Sequence, residues 1–168
     1  MSTVLVISAS LNPASRSRIM ARAAVEDLRT LGREPTWLDL QDTPLPFCDG
    51  GAAYQHPAVV AVTTTIAAAQ TIVVACPIYN YWVNAAAKNL IELTGKAWEG
   101  KTVGFLCSAG GSASYMAVLG FANALMADFR CRILPRFVYA AGDQVKADGT
   151  MAPEIRERIR RFTAETAA

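Results

Sequence analysis

Short apolar runs rich in β-branched residues alternate along the chain with stretches of helical periodicity. Thr3–Ile7 reads as a strand buried on both faces, because it is continuously apolar rather than alternating. A polar turn leads into a helical pattern from about Ser17 to Leu31, stopped by Gly32. Pro35–Leu40 alternates apolar and polar residues and predicts a less central second strand. Gln41–Gln55, with two prolines and two adjacent glycines, predicts a long loop, and Pro57 then suits the first turn of a helix lasting to about Ala69. Thr71–Cys76 is the third predicted strand, ended by Pro77; Ala85–Thr94 is the next helix, with Gly95 as its stop. Thr102–Cys107 is a fourth strand, Ser114–Phe129 a helix, and Cys131–Tyr139 a fifth strand that Pro135 confines to an edge or a bulge. Pro153–Thr166 closes the pattern as an amphipathic helix carrying Arg156, Arg158, Arg160 and Arg161.

Five strand-then-helix units predict one α/β domain over residues 1–168, with a parallel sheet between two helical layers. Right-handed crossovers leave few ways to wind it, and the most economical is the flavodoxin-like three-layer sandwich with a five-stranded parallel sheet in the order 2-1-3-4-5. In such a sheet, ligands bind beyond the carboxyl ends of the strands where the winding reverses. The loops at that point are 8–17 and 77–84, with 108–114 beside them.

Composition sharpens this picture through where charge is missing. The chain has 168 residues, 52% of them apolar and 18% charged, with a net charge of +2. That balance excludes disorder, and it is too weak to argue for nucleic acid. No Asp, Glu, Lys or Arg occurs from Gly50 to Ala87, 38 residues, or from Thr102 to Ala127, 26 residues. An even spread would place roughly 11 charges in those windows. Neither window is a membrane span, since Gln55-His56-Pro57, Thr63–Thr65 and Pro77 break the first and Ser108–Ser114 breaks the second. A cytoplasmic protein with no membrane partner is expected. The first window then reads as a buried helix, the third strand and an aromatic loop. The second contains a helix from Tyr115 to Ala127 without charge on any face, which predicts an outer surface covered by another subunit in a homodimer or homotetramer.

Cys48, Cys76, Cys107 and Cys131 have no metal-ligand spacing and read as reduced core thiols. His56, the single histidine, precedes Pro57 at a helix start, where a capping or surface role fits better than catalysis. No Gly-x-Ser-x-Gly elbow is present to support a hydrolase. The three loops carry the chemistry instead. The first, Ser8–Ser17, offers four hydroxyls and Arg16 at a helix N-terminus, a setting that favours a phosphate monoester. It is neither a Walker A nor a Gly-x-Gly-x-x-Gly loop. The second places Tyr79, Tyr81 and Trp82 within four residues, a wall suited to something flat. The third holds Gly110-Gly111, where backbone can approach a ligand edge. A mononucleotide with a flat polar ring system, FMN above all, fits the three together.

Ser10 with Ser15-Arg16-Ser17, Pro77-Ile78-Tyr79-Asn80, Lys88-Asn89-Leu90-Ile91-Glu92 and Ala109-Gly110-Gly111-Ser112 resemble, in order, the motifs of the NAD(P)H-dependent FMN reductase family. The resemblance runs over roughly residues 4–140. It implies bound FMN, reduced by NADPH or NADH and reoxidised by a small-molecule acceptor such as free flavin or a quinone in a ping-pong cycle. It also implies that Ser10, Ser15, Arg16 and Ser17, with Asn12 beside them, hold the phosphate. Pro77, Ile78, Tyr79, Asn80 and Tyr81 and the backbone of Ser108, Gly110 and Gly111 would border the ring system. Two departures stand out. Leu11-Asn12 replaces an arginine common in relatives after the first serine, leaving Arg16 or Arg18 to supply the charge. Tyr81-Trp82-Val83-Asn84 replaces a Ser/Thr-x-Pro-Gly stretch that shapes the entrance. No side-chain catalyst is expected, because the cofactor carries the chemistry. A flavodoxin-type electron carrier and a non-catalytic FMN-binding module are the alternatives.

Overall fold

The structure is a computed structural model, and it describes residues 3–167. Its centre is built by strands with no exposed face. All five residues of β1 (Val4–Ser8) are buried, as are the first eight of β3 (Thr71–Tyr79). Their side chains alternate between two separate cores. Leu5, Ile7, Ile72, Val74, Val103 and Phe105 pack beneath α2 (Pro57–Ala68), α3 (Ala85–Thr94) and α4 (Val118–Phe129). Val4, Val6, Val73, Ala75 and Leu106 pack beneath α1 (Arg16–Thr30) and α5 (Pro153–Ala167). This is the three-layer arrangement that the continuous apolar runs require.

Besides β1 and β3, the sheet contains β2 (Thr36–Asp39), β5 (Thr102–Ala109), β6 (Arg132–Ile133) and β7 (Val138–Ala141). β1 lies parallel between β2 and β3, with Leu5 opposite Thr36 and Ile72. β3 runs parallel to β5 from Thr71–Thr102 to Pro77–Ser108. Both β6 and β7 pair with β5 along its outer side, so the five positions follow the expected order 2-1-3-4-5. Close approach of α5 to the sheet sets one residue: a Cβ on Gly104 would meet the Phe162 ring at 2.5 Å.

Several expectations are corrected. Pro77 does not end the third strand, which continues to Tyr79. Ala75 O accepts from Ala9 N at 2.8 Å, so Ala75 and, two residues on, Pro77 direct their backbone polar groups toward β1. β1 has finished by that level, so the missing N–H of proline costs no bond to β1. The expected 77–84 loop is instead a tight hairpin whose return strand is β4 (Trp82–Val83). The expected fifth strand lies at the sheet edge, as Pro135 requires, but it is split into β6 and β7 around that proline rather than running continuously from Cys131 to Tyr139. The helix expected from Ser114 begins as a 3₁₀ turn, Tyr115–Ala117, before α4. Within the 41–55 segment a 3₁₀ turn forms at Ala52–Gln55, and Asn89 on α3 clamps its middle, accepting from Cys48 N and donating to Pro46 O, both at 2.9 Å. Finally, α2 is not a buried helix. Val59, Val62 and Ile66 face the core, while Val60, Ala61, Thr64, Ala67 and Ala68 are exposed. Its freedom from charge reflects small and hydroxyl residues on the outside, not exclusion of water. His56 caps this helix, its Nδ1 accepting from Ala58 N.

Candidate functional site

The loop after β1 is shaped from beneath by one arginine. Arg18, on the first turn of α1, is nearly inaccessible and forms a bidentate ion pair with Asp39 at the end of β2, at 2.6 and 3.0 Å. Its other donors go to the carbonyls of Ser10 (2.9 Å), Asn12 (2.6 Å) and Pro13 (3.3 Å). Arg18 therefore pulls three carbonyl oxygens inward and turns the opposite side of the loop outward. It is a scaffold and presents no charge to a ligand. Ser15 is the N-cap, its Oγ accepting from Arg18 N at 3.1 Å. The N–H groups of Arg16 and Ser17 lie in the first helical turn, where no preceding carbonyl can receive them, and the helix dipole adds positive character there.

Arg16 remains as the loop's outward cation. Its guanidinium donates to Gly142 O at 2.7 Å and stands 3.5 Å from Asp143, which steadies it across the mouth of the loop. Ser10 is buried and its Oγ accepts from Asn12 N, while Ala14 N donates to Asn12 Oδ1. Ser17 is fully buried, and its hydroxyl pairs with that of Ser15 at 2.9 Å.

The β3–β4 hairpin turns on Asn80 and Tyr81, both with left-handed backbone (φ 50° and 62°). That is the pattern of a type I′ turn, here made without glycine, and a tyrosine in this region costs about 1–2 kcal/mol. The hairpin is tied down at the end of its return strand by Asn84. Asn84 N donates to Pro77 O at 3.1 Å, and Asn84 Nδ2 donates to Ala9 O at 2.7 Å. Asn84 thus joins the serine loop to the hairpin, a role its sequence position did not disclose. Trp82 turns away from the loop cluster and lies on α4, where a Cβ on Gly120 would come within 2.2 Å of its ring.

The third loop follows β5. Tyr139 donates its phenol to Gly111 O at 2.6 Å and also meets Ser114 Oγ at 2.9 Å. Neither Gly110 nor Gly111 has a positive φ, and a Cβ on either would meet nothing within 4 Å. The protein itself gives no steric reason for glycine here; the open space is part of the cleft or its rim. Cys107, one residue before Ser108, is the register partner of Cys76. Its hydrogen bond with Cys76, and then burial, push its pKa well above the ordinary thiol value, which keeps Cys107 a thiol.

A cleft of about 510 Å³ gathers these parts. Ser10, Asn12, Ser15 and Arg16 line it from the first loop, Pro77, Ile78 and Tyr79 from the hairpin, and Ser108 and Gly110 from the third. Ser17 stays behind Ser15, Asn80 and Tyr81 occupy the turn, and Gly111 lies outside the lining. Ala14, Ala109 and Ala147 complete the wall, and no sequence signal distinguishes an alanine in that role. The lining includes one cation and no carboxylate. Hydroxyls, free helical N–H groups and a guanidinium at one end, with backbone and Tyr79 at the other, are a donor set that fits FMN.

The sheet order and a cleft at its winding reversal define a flavodoxin-type nucleotide-binding domain. The sequence profile of the family described as NADPH-dependent FMN reductase matches residues 2–146, and the chain belongs to that family. Its members' chemistry makes this a flavin-dependent NAD(P)H oxidoreductase. Among solved structures it is similar to the apo form of the NADH:FMN oxidoreductase EMOB (17% identity, 100% of this chain and 91% of that one, TM-score 0.77). It is also similar to FerB, a flavoenzyme NAD(P)H:(acceptor) oxidoreductase from Paracoccus denitrificans (17%, 99% and 96%, TM-score 0.80). A flavodoxin, WrbA-like protein from Agrobacterium tumefaciens matches as well (17%, 99% and 96%, TM-score 0.70). At these identities the likeness is one of fold. No curated protein matches the sequence.

Proposed function

We propose that the chain holds FMN in the 510 Å³ cleft and uses it to pass reducing equivalents from NADPH or NADH to a small acceptor. When bound, FMN supplies the two-electron chemistry, accepting hydride from the nicotinamide and giving it up to the second substrate. The protein's own residues bind and orient. Ser10, Ser15 and Arg16, with the N–H of Ser17 and with Asn12 beside them, receive the phosphate. Pro77–Tyr81 and the backbone of Ser108, Gly110 and Gly111 border the ring. The single observation that carries this reading is the cleft's polarity, one guanidinium and no carboxylate beside a helix N-terminus.

An apolar recess of about 320 Å³ shares the same loop. Leu11 lines it while its neighbours Ser10 and Asn12 line the cleft, and Leu40, Pro44, Leu45 and Phe47 complete its apolar side. This supports a weakly polar acceptor such as a quinone. Purified protein supplied with FMN is expected to oxidise NADPH or NADH when a quinone or free flavin is added. Bound FMN without turnover on any acceptor would favour the electron-carrier alternative.

The reading includes a homo-oligomer. Met116 (59% exposed), Leu119 (44%) and Met126 (46%) on and before α4 form an apolar face continuous with Trp82 (43%). A second copy covering that face also covers the hairpin beside the cleft. Leu119→Asp is expected to shift sedimentation at micromolar concentration from an oligomer to a monomer; a wild-type monomer would refute the assembly.

A further inference from the structure

A third cavity, of about 450 Å³, opens at the sheet edge between β7 and α5, away from the proposed phosphate cradle. Its chemistry is distinctive. Tyr115 and Phe137 stack at 4.9 Å with 30° between their planes, forming an aromatic wall. Around them stand Arg136, Arg158 and Arg161, with Glu165 as the one acidic lining residue, so the lining carries three cations against one anion. Arg161 is engaged by Glu157 at 2.8 Å. Arg158 donates one N–H to Phe137 O at 3.1 Å, and among the described residues its guanidinium has no other hydrogen-bond partner. Among the described residues no carboxylate reaches within 4.0 Å of Arg136 or Arg158.

Unpaired guanidiniums beside an aromatic face are suited to a phosphate attached to a flat ring. The cavity is also linked to the cofactor cleft by one loop. Gly110 lines the cleft, Tyr115 lines the arginine pocket, and Tyr139 braces the segment between them. Its phenol holds Gly111 O and Ser114 Oγ, and its ring meets Tyr115 edge to face at 5.4 Å. An extended dinucleotide with one end over the cleft would run along this loop.

We propose that the pocket receives the adenosine end of the dinucleotide donor, with the adenine on Tyr115 and a ribose 2′-phosphate on Arg136 and Arg158. This assigns residues to donor choice and makes NADPH the preferred donor; it rests on the reading of a dinucleotide as reductant. Pro135, which splits the edge strand, leaves Arg136 in an irregular stretch free to face the ligand.

The test uses adenosine 2′,5′-bisphosphate as probe on the full chain, by calorimetry, with and without FMN. Adenosine 2′,5′-bisphosphate is expected to bind with or without FMN, to compete with NADPH, and to bind about tenfold more tightly than adenosine 5′-monophosphate. Arg136→Gln, on the exposed surface, is expected to weaken the bisphosphate about tenfold and raise KM for NADPH about tenfold. KM for NADH and the affinity for FMN are expected to change less than about twofold. Equal effects on both donors, no effect on either, or binding of inorganic phosphate as tight as the bisphosphate would overturn the proposal. Absence of FMN binding in the wild type would overturn the proposed function, whereas the titration of the FMN-free chain still reports on this pocket, so the two failures are distinguishable.

Discussion

Arg18→Leu is expected to destabilise the fold by about 3–5 kcal/mol, the usual cost of stranding one partner of a buried ion pair. Asp39 would keep its carboxylate in a nearly inaccessible site without the two guanidinium bonds at 2.6 and 3.0 Å. The carbonyls of Ser10, Asn12 and Pro13 would lose their shared donor at the same time. Urea denaturation measures the loss, and a change below about 1 kcal/mol would show that water or a neighbour replaces the pair. Arg18→Leu combined with Asp39→Leu is expected to cost less than the two single changes together, because removing both charges leaves neither unpaired. FMN affinity is expected to fall further in Arg18→Leu than in an equally destabilised core variant. The effect lies in the shape of the loop, since Arg18 itself faces the protein.

Arg16→Ala tests the other arginine and is expected to leave the fold nearly intact. Its loss should weaken FMN by about 1.5–3 kcal/mol, one to two decades in Kd, the range for a hydrogen bond to a charged group. The bond to Gly142 O and the 3.5 Å approach of Asp143 hold the guanidinium at the cleft, so little ordering remains to be done on binding. Arg16→Lys should recover only part of the affinity, because an ammonium cannot hold both Gly142 O and a phosphate with a planar fork. Quenching of FMN fluorescence on titration with the protein measures both variants. An unchanged Kd for Arg16→Ala would place the phosphate on backbone N–H groups alone.

The two arginines show where reading the chain as a string succeeds and where it stops. That Arg16 stands at the cleft was legible because a cation among serines at a helix start is a local pattern. Arg18 was not, since its partner Asp39 lies 21 residues away and only the β1–β2 pairing brings them together. The strand–helix alternation and sheet order were readable from apolar runs and glycine stops; Ala85–Thr94 has the expected bounds. Pro77 misled because a proline signals a strand end only where its missing N–H would have been needed. The hairpin after it was hidden because its left-handed turn uses Asn80-Tyr81 in place of glycine. Absence of charge proved an ambiguous signal. On α4 it accompanies an exposed apolar face, on β3 burial of all but the terminal Tyr79, and on α2 a solvent-facing surface of alanine, valine and threonine.

Those uncharged windows meet at the cleft, and the central claim is that FMN bound there is reduced by a nicotinamide. Anaerobic titration of the FMN-loaded protein with NADPH, and separately with NADH, tests it most directly. The expected result is stoichiometric bleaching of the visible flavin absorbance by at least one donor, followed by full recovery when a quinone is added. Flavin that stays oxidised in the presence of both donors would contradict the account.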